Sequence, residues 1–469
     1  MSGDPTMSDT LVQVPRSSVP GIVSPALPGR MASLLMAVIY QLDQTQWLSP
    51  EELFFHQGRQ LQALFGHAAA TVPFYGRRFA EAGVDPAAAV TLETLARLPV
   101  LKRSELQGAG EAINTTALPK SHGKRHEIET SGSTGRTVRM LGTDVTGVFW
   151  RACVMREHFW HRRNLAGKLA AIRWARKGVA MPPDGARRDS WGPASGAIYP
   201  TGPAVFLNIA STLEEQLDWL LRERPDYLIS FPSNLVALAG HCQQRGVTIP
   251  NLKQVLTVGE TVTDTVRRAA RQAWDVPVKD SYSSEEAGYL TMQCPEHEVY
   301  HVQSENVLLE VVDDAGRPCG PGEVGRVLVT SLHNFATPLI RYELGDYAEV
   351  GERCACGRGL PVIKRIVGRQ RNRLALPDGS SVFPHLGDHE DYLAITRAIK
   401  RFQLVQRSLH ELESRLVVTA PLSAEQEEQM RAVMLRNLAH PFRITFTYHA
   451  EIPPSPRGKF EEFISEVAV

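Results

Sequence analysis

The sequence predicts an α/β protein: a large N-terminal domain of mixed sheets with flanking helices and a β subdomain, then a small α+β C-terminal domain. Three observations carry this. The chain has 469 residues, and a single hydrophobic core seldom serves more than about 250. Between Lys168 and Ser281, short apolar β-type runs alternate with helical stretches, the spacing of a mostly parallel sheet covered by helices. From Tyr300 to Val350 the texture changes to paired apolar runs around an Asp313-Asp314-Ala315-Gly316 turn, which reads as an antiparallel meander.

Residues 1–28 are rich in Ser, Pro, Gly and Val without periodicity and read as a flexible tail. The apolar run Met31 to Tyr40 is far shorter than the roughly 20 residues that span a bilayer. It lies behind a polar tail, and Gln41-Leu42-Asp43-Gln44 is a poor cleavage region, so it predicts an amphipathic helix. Ser49 to Ala82 has helical spacing, opened by the start signal Ser49-Pro50-Glu51-Glu52. Strands are expected at Leu169–Ile172, Tyr227–Ser230, Gln254–Val258 and Val276–Ser281, with helices at Leu213–Arg222 and Asp264–Trp274. Val307–Val312 and Gly325–Val329 flank the meander's turn. After about residue 370 come strands Phe402–Gln406 and Ser414–Thr419, a helix Ser423–Leu438 and a last strand Arg443–Tyr448.

Fifty-one Lys plus Arg balance fifty-one Asp plus Glu. That excludes a nucleic-acid binder relying on bulk positive potential. Six cysteines in so long a chain are no disulfide scaffold, and Cys354-Ala355-Cys356 points to metal chemistry in a reducing compartment. A cytoplasmic protein with small-molecule partners is expected, bound to neither nucleic acid nor membrane.

Four segments carry chemistry. Thr130-Ser131-Gly132-Ser133-Thr134-Gly135-Arg136 combines turning glycines, hydroxyls and a cation after the strand-like His126–Glu129, a loop suited to a polyphosphate. It lacks Walker A spacing, and the alternative is a plain loop. Tyr282-Ser283-Ser284-Glu285-Glu286-Ala287-Gly288 offers an aromatic and adjacent carboxylates at a strand's end; the alternative is a helix N-terminus with dipole-favoured acids. Asp346, after Gly345, is either a ribose acceptor or a turn aspartate. Pro456-Arg457-Gly458-Lys459 presents a lysine on a loop, which alone reads as solvated surface.

In this order the four segments resemble the adenylate-forming superfamily (acyl-CoA synthetases, peptide-synthetase adenylation domains, luciferases). Within it they resemble the phenylacetate–CoA ligase-like and capsule-biosynthesis-like branch. Val72-Pro73-Phe74-Tyr75, Leu98-Pro99-Val100-Leu101-Lys102, Arg365-Ile366-Val367-Gly368-Arg369 and Val382-Phe383-Pro384 extend the likeness over nearly the whole chain.

The resemblance implies an AMP-binding domain over residues 29–368 and a small mobile domain over 369–469 that rotates between two half-reactions. It implies that Thr130, Ser131, Gly132, Ser133, Thr134, Gly135 and Arg136 hold the β- and γ-phosphates of ATP. Tyr282, with Ser283 beside it, would lie against adenine; Glu286 would bind Mg2+; Asp346 would bind the ribose, with Arg369 nearby. Gly259 and Glu260 occupy another adenine-side loop, and Lys459 is the lysine that bridges carboxylate and α-phosphate. Phe231, Pro232 and Trp191 fall where the family builds its acid pocket, with core packing as the alternative.

Three departures stand out. Glu285 replaces the usual Thr beside the magnesium glutamate, Arg371 the hinge Asp, and Asp378-Gly379 the usual pantetheine-tunnel loop. Cys294, Cys354, Cys356 and a histidine, His297 or His301, would satisfy a structural tetrahedral Zn2+. The branch shows a similar arrangement whose histidine matches His301 better, and the alternative is unrelated thiols.

The expected function is ATP-dependent, AMP-forming activation of a carboxylic acid, aromatic by preference, as acyl-adenylate, followed by transfer to CoA. An amine or carrier-protein acceptor, or an inactive nucleotide-binding relative, are the alternatives; a homodimer is a candidate assembly.

Overall fold

The computed structural model describes residues 14–130, 137–384, 386, 389–438, 440–453, 455 and 459–467. The stretch around Met31–Tyr40 forms the amphipathic helix Arg30–Thr45, which buries Ala32, Leu35 and Leu42. The start signal at Ser49 is a complete capping box: the Ser49 side chain accepts from Glu52 N–H, and the Glu52 carboxylate from Ser49 N–H. It opens the helix Pro50–Thr71. Pro73, whose missing N–H costs nothing in a first turn, opens the next, Pro73–Glu81.

The alternating region forms a six-stranded sheet in the order Ala186–Arg188, Ala204–Asn208, Leu169–Arg173, Tyr227–Ser230, Gln254–Thr257, Val278–Lys279. Only its first pair is antiparallel. Helices Leu213–Glu223, Pro232–Arg245 and Asp264–Trp274 bury Trp219, Leu235, Leu238 and Val266 against Ile172, Val205 and Leu228. Such cover explains why these strands read as unbroken apolar runs.

The meander belongs to a seven-stranded antiparallel sheet. Its order is Val307–Val312, Val324–Ser331, Tyr342–Val350, Val362–Arg369, Tyr300–Val302, Gly288–Gln293, Ser281–Ser284. The N-terminal helices pack Leu61, Leu64, Phe65, Tyr75 and Phe79 against its Val327, Val329 and Tyr342. Arg341 clamps the layers, donating to Leu98 O at 2.6 Å and pairing with Glu310 at 3.1 Å.

Two expectations need correction. The single strand expected at Val276–Ser281 is two, Val278–Lys279 in the parallel sheet and Ser281–Ser284 in the antiparallel one. Asp280 makes the handover, since its carboxylate accepts from Thr257 Oγ1 at 2.5 Å on one side and Tyr300 OH at 2.8 Å on the other. Burial pushes that carboxyl up to about 6. Nor is Arg443–Tyr448 the last strand: Phe463–Ser465 pairs in parallel with Ile399–Gln406. The C-terminal sheet, ordered Arg443–Tyr448, Glu411–Val418, Ile399–Gln406, Phe463–Ser465, covers the helix Ala424–Asn437 through Leu404, Leu412, Leu416, Met430 and Met434. Among the described residues, no helix is long and apolar enough to cross a membrane.

Candidate active site

Thr130 ends the strand Arg125–Thr130, is buried, and accepts a hydrogen bond from Arg103 Nη2 at 3.0 Å. Ser131, Gly132, Ser133, Thr134, Gly135 and Arg136 lie outside the described residues. The other arm of the Arg103 guanidinium, Nη1, stands 3.3 Å from Glu286 Oε1. Glu286 sits in the turn joining Ser281–Ser284 to Gly288–Gln293, not at a helix N-terminus, and Gly288 closes that turn at φ +80°. Arg103 therefore bridges two of the expected nucleotide-site segments. Sequence reasoning missed it, although it directly follows the Leu98–Lys102 segment.

Strand pairing brings Asp346 opposite Arg369. Arg369 Nε is 3.2 Å from Asp346 Oδ1, and Tyr282 OH donates to Oδ2 at 2.7 Å. Burial raises the Asp346 pKa, while the Arg369 charge and the Tyr282 hydrogen bond pull it back. Burial and the Asp346 charge hold the Tyr282 phenol well above its usual range. Ser283 pairs with Tyr289 in the same hairpin and is exposed.

The third segment leaves the carboxyl end of the strand Gln254–Thr257. Gly259 has φ +79°, and a Cβ there would sit 3.0 Å from Lys459 Cε and 3.1 Å from Phe231 Cε1. Lys459, near the far end of the chain, thus comes up against the same group of residues. Burial and the Arg369 charge lower its pKa; Asp346, Glu260 and Glu285 act the other way. Phe231 and Pro232 are buried, where the strand Tyr227–Ser230 passes into the helix Pro232–Arg245.

Trp191 packs with Tyr227 and the strands of the parallel sheet. Its Nε1 donates to Gly167 O at 2.9 Å and its ring stands 5.2 Å from that of Tyr227, at the opening of these strands. Ligands of parallel sheets bind beyond the carboxyl ends, where Phe231 is.

Cys294, His301, Cys354 and Cys356 come together away from this cleft, with ligand atoms all within 4.8 Å of one another. Cys356 Sγ is 3.3 Å from His301 Nε2, and His301 Nδ1 is 3.4 Å from Leu360 O. His297 Nδ1 borders the group, 3.3 Å from Cys354 Sγ and 3.8 Å from Cys294 Sγ. Burial pushes the Cys294 and Cys354 thiols up. Three sulfurs and one imidazole, its second nitrogen directed to a carbonyl, are the donor set of a closed tetrahedral site.

A small C-terminal unit delivering a lysine to the carboxyl edge of a large α/β unit defines the class: an adenylate-forming enzyme fold. The chain is similar in sequence to phenylacetate-coenzyme A ligases and in fold to adenylate-forming CoA ligases. Over 405 residues it is 28% identical to a phenylacetate-coenzyme A ligase of Thermus thermophilus, spanning 83% of this chain and 86% of that one. A phenylacetate-coenzyme A ligase of Pseudomonas putida is 26% identical over 352 residues, spanning 73% and 76%. In fold it is similar to a 2-hydroxyisobutyryl-CoA ligase solved in the postadenylation state, at TM-score 0.70 and 19% identity over 90% of this chain and 92% of that one. No protein-family model matches the chain.

Proposed function

We propose that this protein joins a carboxylic acid, aromatic by preference, to CoA in two steps, through an acyl-adenylate formed from ATP with release of pyrophosphate. The observation that carries the reading is Lys459 at Gly259, within reach of the charges on Arg369 and Asp346. A carboxylate oxygen attacks the α-phosphorus and pyrophosphate leaves. A buried ammonium beside both anions offsets their repulsion where charge accumulates. Asp346, held by Tyr282 and Arg369, keeps lone pairs for the ribose hydroxyls, and the Gly259 backbone leaves room for the acid beside Phe231. The thiol of CoA then attacks the acyl carbon and AMP leaves.

Glu286 and Thr130 would hold Mg2+ with the triphosphate. The fit is supported by the Arg103 guanidinium, which already sets a cation against both side chains. When bound, Mg2+ offsets the charge of the phosphates. We assign the reaction to the cytoplasm, where ATP, CoA and reduced thiols coexist.

Incubation with ATP, CoA and a panel of arylacetic, benzoic, fatty and amino acids tests the reading. Thioester detected by mass with an aryl acid supports it. Acid-dependent AMP release without thioester would replace CoA by another acceptor, the reading that the Asp378-Gly379 departure favours.

We further infer a structural zinc on Cys294, His301, Cys354 and Cys356. Elemental analysis should find about one zinc per chain, and Cys354→Ser should remove it and lower the thermal midpoint by roughly 5–10 °C. Metal-free protein of unchanged midpoint, purified without chelators, would end this assignment.

A further inference from the structure

We propose that Glu260 is a positioning residue, a clasp that grips the backbone next to Lys459 and holds the lysine in the cleft for adenylation. The proposal rests on the reading of Lys459 as the adenylating lysine. Glu260 follows Gly259 on the loop leaving the parallel sheet, and its carboxylate accepts three hydrogen bonds. Two come from the large unit: Ser233 N–H to Oε2 at 2.9 Å and Ser233 Oγ to Oε1 at 3.1 Å. The third comes from the small unit, Phe460 N–H to Oε1 at 2.8 Å, across 200 positions of sequence.

The division of donors is what makes this a clasp. Ser233 lies in the first turn of the helix Pro232–Arg245, so a fixed backbone donor and the helix's positive end keep the carboxylate in place. Phe460 N–H is the one donor of those three that comes from the C-terminal unit. Ser455 N–H donates to Lys459 O at 2.7 Å and Lys459 N–H to Ser455 Oγ at 3.1 Å. The Phe460 link to Glu260 therefore orients Lys459 from one peptide unit away, beside the Gly259 backbone that its side chain approaches. When the small unit rotates for the second step, one bond breaks and the carboxylate stays satisfied by Ser233. A buried anion near the substrate's phosphates is otherwise repulsive; here its charge is spread over three donors and faces Lys459.

Two measurements test the clasp, one without substrate. In hydrogen–deuterium exchange of the unliganded protein, Glu260→Ala should raise exchange in the peptide spanning 459–467 by about 10-fold or more, the scale of one lost charge-assisted hydrogen bond, and leave the sheet peptides unchanged. In kinetics with phenylacetate as the acid, the same variant should lower kcat for pyrophosphate–ATP exchange by about 10- to 100-fold, a larger change than in the KM for ATP. Transfer from synthetic phenylacetyl-adenylate to CoA should stay within about threefold of the parent. Glu260→Gln, which keeps one acceptor oxygen and the shape, should recover most of the loss. Unchanged exchange at 459–467, or an equal fall in both half-reactions together with a lowered thermal midpoint, overturns the proposal. A parent protein with no pyrophosphate exchange on any acid, but with the deuterium difference intact, would sink the adenylation reading and leave the clasp standing as a contact between the units.

Discussion

Replacing Lys459 by alanine is expected to lower acid-dependent exchange of pyrophosphate into ATP by about a thousandfold, with the fold intact. The reason is electrostatic. Two anions must come within bonding distance, and the ammonium at Gly259 is the cation the C-terminal unit brings to that point. Transfer from a supplied acyl-adenylate to CoA should change only a few fold, because the proposed rotation of the C-terminal unit would withdraw the lysine before the second step. An unchanged exchange rate in the variant would remove the lysine from the reaction.

The same residue sets a pH limit. Burial and Arg369 lower its pKa from the ordinary 10.5, and the protonated form is the useful one. The alkaline limb of the exchange reaction should therefore fall below pH 10.5, and Lys459→Ala should lack that limb. Stability runs the opposite way. The unfolded chain binds this proton more tightly, so this group's cost to stability is present at neutral pH and is relieved as pH climbs from the lowered folded value through 10.5.

Glu286→Gln is expected to lower the same exchange by about a hundredfold and to raise the Mg2+ concentration required for half-maximal rate by about tenfold. In the parent, Arg103 stands 3.3 Å from this carboxylate, so the turn is built around a negative charge facing a cation. Glutamine keeps the shape and loses the charge. A rate loss that saturating Mg2+ leaves in full, with no change in the metal requirement, would argue for a purely structural glutamate.

Much of the fold was legible because its signals are local. Tyr227–Ser230, Asp264–Trp274, Val307–Val312 and Arg443–Tyr448 form over the residues the apolar pattern marked. Their period and bounding turns lie within a few positions of the chain. Phe463–Ser465 was invisible because three residues carry no period, and the break at Asp280 because a short β-type run such as Val276–Ser281 does not say which sheet it joins. The candidate site was legible as segments, through the order of motifs rather than through any one of them.

Tyr282, Asp346, Arg369, Gly259 and Lys459 were named from the chain alone, and their side chains and backbone lie near one another. Arg103, the Glu260–Phe460 link and the separation of Trp191 from Phe231 were not readable, since each depends on which strand ends face each other.

By itself, then, the sequence determined the fold class and the superfamily resemblance and marked candidate residues for a nucleotide and an acid, because period, turn chemistry and motif order are properties of neighbouring residues. The tertiary structure alone decided which charges are paired, which aromatic stands beside Gly259, and which carboxylate accepts from the backbone next to Lys459. Those are settled by burial and by hydrogen bonds between groups as far apart as 200 positions, and no local pattern encodes such a pairing.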